Sequence, residues 1–227
     1  MGGITLYIGR MNQMIKSFCC AFFITLFTAP VFAEGEAAGD FDYYVLSLSW
    51  TPSWCAETGD DRGAPDCAIG ADNGFSVHGL WPQYDTGWPS FCQTSMRDPS
   101  RGQTGAMADL MGSGGAAWYQ WKKHGRCAGL TAEAYFETLR AAYESVVRPA
   151  VFRQLPEEGV VLPASVVEAA FLESNPDMLA DGVTVTCKQS RIQEVRICLD
   201  KTLNPRACGE DVRQDCRMDD AEMPPIR

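Results

Sequence analysis

Two histidines occur in the chain, His78 and His124. Each lies in a short segment dense in Gly and Trp: Phe75-Ser-Val-His-Gly-Leu-Trp-Pro82 and Trp118-Tyr-Gln-Trp-Lys-Lys-His-Gly-Arg-Cys127. Imidazole titrates near pH ~6.5, so at ordinary pH one ring can accept a proton while the other donates one. Around His124, the cluster Lys122, Lys123 and Arg126 gathers positive charge against the acidic trend of the chain. Trp81, three residues beyond His78, is placed to wall a cleft or stack on a base. Two imidazoles, an ammonium group and aromatic walls suit attack on a phosphodiester by a neighbouring hydroxyl. One ring takes the hydroxyl proton, the other protonates the departing oxygen, and the ammonium group stabilises the pentavalent phosphorane.

These groups need a frame. Residues 41–50 are rich in β-formers and read as a central strand, and residues 74–80 as a second strand that Trp81-Pro82 turns, with His78 at its end. Between them, the Gly- and Pro-rich residues 51–73 form a loop. Residues 106–111 make a short helix. A second helix over 116–123 ends at Gly125 as a C-cap, so that His124 closes it and the helix C-terminus favours the protonated ring. Thr131 caps the next helix, whose buried stripe is Phe136, Leu139, Tyr143 and Val146/Val147, with Pro149 as its stop. Residues 163–173 form another helix, closed by Asn175-Pro176. Residues 183–187 and 192–198 alternate as an antiparallel pair. Strands and helices follow without a βαβ rhythm, which gives an α+β fold: a central antiparallel sheet flanked by several helices. Trp50, Trp54 and Trp121 are assigned to packing.

The ends and the composition set further bounds. Residues 1–33 carry Arg10, Lys16, an apolar run and Val31-Phe-Ala33, the pattern of a removable signal peptide. The run is shorter than the ~20 residues of a membrane span, so no lasting membrane association is expected. Residues 34–40 read as a flexible lead-in and 41–227 as a single domain. Loss of Arg10 and Lys16 with the signal takes the formal charge from −10 to −12, which excludes a protein that grips nucleic acid by a broad basic face. A local contact to one or two phosphates remains open. Of ten cysteines, eight stay with the domain: Cys55, Cys67, Cys92, Cys127, Cys187, Cys198, Cys208 and Cys216. An even number in an exported chain reads as four disulfides rather than a zinc site, since no C-x-x-C pair occurs. Neither metal nor cofactor is expected, and nothing in the sequence requires more than a monomer.

Together the two histidine segments resemble the active-site segments of the ribonuclease T2 family. Residues 41–55 resemble its first strand, Trp88-Pro-Ser-Phe-Cys92 its bridging segment, and residues 186–198 its C-terminal strand pair, so the likeness runs over roughly residues 41–216. The resemblance implies an exported α+β endoribonuclease, secreted or periplasmic, that cuts single-stranded RNA by metal-independent transesterification and leaves 2′,3′-cyclic phosphates. By position, His124 would be the general base, His78 the general acid and Lys123 the phosphorane stabiliser, with Trp81 shaping the base or histidine pocket. The implied bridges are Cys55–Cys67, Cys92–Cys127, Cys187–Cys216 and Cys198–Cys208. The family commonly has glutamate at the position of Gln120 and histidine at that of Tyr119. Gln120 is therefore expected to position a phosphate oxygen or the histidine, and Tyr119 to donate a hydrogen bond to phosphate. The competing reading is a catalytically weak relative that acts as a secreted binding or toxin-like module; a module of that kind has no need of both histidines and Lys123.

Overall fold

The computed structural model describes residues 1–3 and 36–227. Residues 4–35, which hold most of the segment expected to be a signal peptide and the start of the expected lead-in, lie outside the described residues. Contacts divide the chain into Met1–Ala33 and Glu34–Arg227, and every element below belongs to the second unit. Among the described residues no helix is long and apolar enough to cross a membrane.

The elements run β1 (Tyr43–Trp50), α1 (Thr51–Trp54), β2 (Phe75–Gln83), α2 (Arg101–Gly105), α3 (Ala108–Met111), α4 (Gly114–Lys123), α5 (Ala132–Ser145), β3 (Val160–Leu162), α6 (Ala164–Ser174), β4 (Val183–Lys188), β5 (Arg191–Leu199) and β6 (Ala221–Met223). The fold is α+β. Strand β1 is central, antiparallel to β2 on one side and to β5 on the other, and β4 and β5 form an antiparallel pair. The sheet order is β2-β1-β5-β6-β3, with a single parallel contact between β5 and β6.

Alternation along β1 separates two faces. Tyr44, Leu46, Leu48 and Trp50 join the main core, where Tyr135, Phe136 and Leu139 of α5, Val167 and Phe171 of α6 and Trp121 of α4 cover the sheet. Tyr43 and Val45 turn the other way, into a smaller cluster with Cys198, Cys208 and Val212. Ser47 and Ser49 share that second face by parity.

Several details differ from the sequence expectation. Residues 51–73 are not a plain loop: Pro52 opens the turn α1, which continues as a wider turn over Cys55–Gly59 and is followed by a tight turn at Pro65–Cys67. Trp81 and Pro82 do not end β2 but lie inside it, paired with Val45 and Tyr44. Strand β2 is at the end of the sheet, where a proline needs no ladder partner for its missing N–H. The helix expected over 106–111 is α3, and a further helix, α2, precedes it, started by a capping box of Ser100 and Gln103. Gly125 is not a C-cap. His124 ends α4, a tight turn spans Gly125–Ala128, and Gly129 (φ +71°) stops it. Gly125 is glycine because a Cβ there would press on the rings of Trp121 and Tyr135. Val147 is exposed, so the buried stripe of α5 runs through Tyr135, Phe136, Leu139, Ala142 and the following Val146. Residues 36–40, read from composition as a lead-in, are fastened: Ala37 bridges Gln93 and the Gly39 N–H donates to the Cys127 carbonyl at 2.9 Å.

Four disulfides join Cys55 to Cys67, Cys92 to Cys127, Cys187 to Cys216 and Cys198 to Cys208. A bridge of this kind typically contributes ~2–4 kcal/mol. Cys92–Cys127 ties the loop before α2 to the turn that follows His124.

Replacing Gly125 by Ala is expected to cost about 1–3 kcal/mol by overpacking Trp121 and Tyr135. Urea denaturation should show a lower midpoint at unchanged slope.

Candidate active site

Two strand irregularities build the site. Ser47 of β1 pairs with Gly79 while Leu48 pairs with Val77, so His78 is an extra residue in β2 with no partner opposite. In the β4–β5 ladder, Thr186 pairs with Glu194 and Cys187 with Ile192, which leaves Gln193 as the extra residue of β5. Bulges of this sort re-aim side chains. In β2 the core residues are Phe75 and Val77 before the bulge and Leu80 after it, so the parity switches and His78 is gained by the opposite face.

A cavity of about 360 Å³ opens there. Its lining includes His78, Trp81, Lys123, His124, Glu194 and Arg196. A second cavity of about 420 Å³ adjoins it and shares His78, Tyr119, Gln120, Gln193 and Glu194. Volumes of this size fit small organic groups. Trp54, expected to be packing, is partly exposed and lines the second cavity; Trp50 and Trp121 are fully buried.

Trp81 stands between the histidines. Its ring stacks on His124 (centroids 5.2 Å apart, planes at 29°) and meets His78 edge-on (5.2 Å, 79°). Its indole N–H donates to Gln120 Oε1 at 2.8 Å, and the Arg196 guanidinium lies 5.5 Å from the ring centroid. The Gln120 side-chain oxygen thus holds Trp81. Gly79 leaves room for this contact, since a Cβ at that position would collide with Trp81 Nε1 and Gln120 Oε1.

The histidines occupy opposite environments. The His78 side chain is 43 % exposed, and its Nδ1 is hydrogen-bonded to Glu194 Oε1. A carboxylate only accepts, so Nδ1 carries the hydrogen. Glu194 is 2 % exposed, and its second oxygen receives Nε and Nη2 of Arg196 at 3.1 and 3.0 Å. Burial alone would raise the Glu194 carboxyl; the hydrogen bond and charge of His78, with Arg196, outweigh it and bring the value to about 2.

His124 is 5 % exposed, and its Nδ1 has no hydrogen-bond partner among the described residues. Burial of the ring, then the positive charges of Lys123 and His78, push its pKa down to about 3. The protonated form expected from the helix end is therefore overruled by desolvation. The backbone of His124 is held on both sides: its N–H donates to the Gln120 carbonyl, and its carbonyl accepts from the Cys127 N–H, both at 2.9 Å.

Of the expected basic cluster, Lys123 faces the cavity, whereas Arg126 is engaged elsewhere, with Nη2 2.7 and 2.8 Å from the two carboxylate oxygens of Asp98. Tyr119 is half exposed on the lip of both cavities. Sequence reasoning missed Glu194, Arg196 and Gln193. The signal available for them was one acidic and one basic residue alternating in a strand. As a set, the groups can take a proton at a buried neutral ring, deliver one from an exposed ring backed by a carboxylate, and meet an anion with Lys123.

A model of the ribonuclease T2 family matches residues 41–208. The chain is 44 % identical over 105 residues to a protein named Ribonuclease from Aeromonas hydrophila, a stretch that covers 46 % of each chain. It is 28 % identical over 142 residues to Ribonuclease 1 of Arabidopsis thaliana, covering 56 % of this chain and 60 % of that protein. The chain thus spans about half the length of these curated relatives. A solved RNase-related protein from Calystegia sepium shares the fold, with a TM-score of 0.65 at 21 % identity over 81 % of this chain and 97 % of that one.

The two depressed values set a stability window. Unfolding returns His124 to ~6.5 and Glu194 to the ordinary carboxylate range. The unfolded chain therefore binds more protons than the folded one in acid, and stability is lost as pH falls, from ~6.5 toward 3 for His124 and from ~4.5 toward 2 for Glu194. Denaturation midpoints should drop between pH 7 and pH 4, and His124→Phe should flatten the upper part of that drop. Gly79→Ala should displace Trp81, reducing the ring–ring contact seen in indole fluorescence and lowering activity.

Proposed function

The chain belongs to the ribonuclease T2 family, and from that premise we propose that it is an exported endoribonuclease that cleaves single-stranded RNA by metal-independent transesterification. The observation that carries this reading is the contrast between two imidazoles on either side of one tryptophan. His124 is buried and held neutral, as a proton acceptor must be. His78 is exposed and backed by a carboxylate, which suits a proton donor.

In this reading an RNA phosphodiester lies in the cavity with its phosphate toward Lys123. His124 removes the 2′-OH proton, and the 2′-oxygen attacks phosphorus. Negative charge builds on the phosphorane oxygens, where Lys123 stabilises it. The bond to the 5′-oxygen breaks as His78 donates its proton, giving a 2′,3′-cyclic phosphate and a free 5′-hydroxyl. His124 ends protonated and His78 neutral. A phosphate beside the buried ring adds the negative charge that favours the imidazolium, so His124 becomes more basic with substrate in place. Trp81 offers a stacking face and Tyr119 a hydroxyl at the lip. Gln120 serves by fixing Trp81.

Removal of residues 1–33 as a signal and residence in the periplasm or medium are part of the same proposal. Eight cysteines joined in four bridges support it, because such bridges persist in oxidising compartments. So is action as a monomer.

With excess chelator present, the mature protein should cut single-stranded RNA to fragments ending in 2′,3′-cyclic phosphate, and His124→Ala should lower the rate by ~10²–10⁴-fold. No cleavage by correctly bridged protein would overturn the reading and favour a binding module. The acid limb of kcat/KM reports the free enzyme's base. Because the His124 value is depressed, that ring stays deprotonated to lower pH, and the limb should fall well below ~6.5.

A further inference from the structure

Glu194 has a surrounding that stability alone does not explain. Taking a carboxylate out of water costs several kcal/mol, which is recovered only when its oxygens are well paired. Here one oxygen takes His78 Nδ1 and the other takes two nitrogens of Arg196. The bond to His78 joins strands that are not neighbours, because β1 lies between β2 and β5. Adjacent strands are ~4.8 Å apart, so the two backbones are separated by roughly twice that distance. The bridge passes over Ser47 and Ser49, which pair with Arg196 and Glu194. Side chains this short leave the path clear, and the β2 bulge brings His78 to meet it.

Resting on the proposed transesterification, we infer that Glu194 is a positioning residue for the general acid: its carboxylate fixes His78 with hydrogen on Nδ1 and directs Nε2 at the leaving 5′-oxygen. In the imidazolium both nitrogens carry hydrogen. Donation from Nε2 to the departing oxygen leaves a neutral ring whose remaining hydrogen is on Nδ1, against Glu194. The carboxylate thus orients the ring and selects the tautomer that can be reprotonated at Nε2. Arg196 holds the carboxylate's other oxygen and at the same time lies over Trp81, so the positions of the acid and of the tryptophan wall are set by one guanidinium.

The charged and titratable groups around His78 come from three sides. Strand β5 brings Glu194 and Arg196; Tyr119 and Lys123 of α4, with His124 after it, face the same cavity. The adjoining cavity adds Glu57, with its ion pair to Lys188, and Arg62 and Asp66. Of these, Glu194 is the one hydrogen-bonded to the ring.

Leaving-group dependence tests the inference. RNA has a 5′-alkoxide leaving group that must be protonated, whereas a nucleoside 3′-(4-nitrophenyl phosphate) releases a stable phenolate and needs no general acid. Glu194→Gln should lower kcat on a short RNA by about 10–100-fold with KM within about twofold. On the nitrophenyl ester its rate should stay within about threefold of the parent. Glu194→Asp keeps a charge for Arg196 but draws the oxygen back from Nδ1, and should show the same selective loss if the glutamine variant does not fold. A wild-type rate on RNA in a folded variant would overturn the inference, as would equal losses on both substrates. If the parent protein cleaves neither substrate, it is the ribonuclease reading itself that fails.

Discussion

Side chains on one face of a β-strand recur only every ~6.8 Å, and neighbouring strands are ~4.8 Å apart. A regular sheet therefore offers one fixed set of side-chain positions on each face. Here β2 carries an extra residue against β1, His78, and β5 carries one against β4, Gln193, next to Glu194. The β1–β2 ladder loses a little regularity, and the cleft face gains His78. Much else follows from these bulges. Ser47 and Ser49 must be small to let a bridge pass above them, Gly79 must lack a Cβ to admit the Trp81–Gln120 contact, and Leu80 must return to the core, where its carbonyl accepts from the Tyr135 hydroxyl at 2.8 Å.

Magnitudes decide the character of His124. A helix C-terminus favours a protonated ring by about 0.3–1 kcal/mol at exposed positions. Moving the pKa from 6.5 to about 3 corresponds to several kcal/mol in the other direction. Desolvation wins because the ring is under Trp81 and its Nδ1 has no hydrogen-bond partner among the described residues. The amide at position 120 belongs to the same account. A carboxylate there would bring negative charge close to the ring and restore part of its basicity, whereas Gln120 brings none.

The legible part of the site was what rare residue types carry. Two histidines in Gly- and Trp-rich segments stand out in any chain, and the period of the helices and of the β4–β5 pair is written in their apolar residues. Glu194 stayed hidden because it is one of 29 acidic residues, and its significance comes from register: a one-residue shift in β5 would turn it away from the cleft. Bulges have no compositional mark here, so His78 was read as a strand end when it is a mid-strand insertion. Arg126 was credited to the charge cluster because proximity in sequence says nothing of Asp98, which is 28 residues earlier and takes its guanidinium. Short β3 and β6 escaped notice because three residues give no period to detect. The cysteine pairs came from resemblance, since spacing leaves their connectivity open.

His78 and its carboxylate partner are 116 residues apart in the chain. A ribosome adds about 5–20 residues per second, so on the order of ten seconds pass between emergence of the first segment and synthesis of the strand that completes it. Through that interval the nascent chain holds a histidine segment with no Glu194, no Arg196 and no second strand beside β1. The order of the sequence thus keeps the site incomplete while the chain is being made, and the bridges Cys187–Cys216 and Cys198–Cys208 close only after β5 has been followed by Cys208 and Cys216.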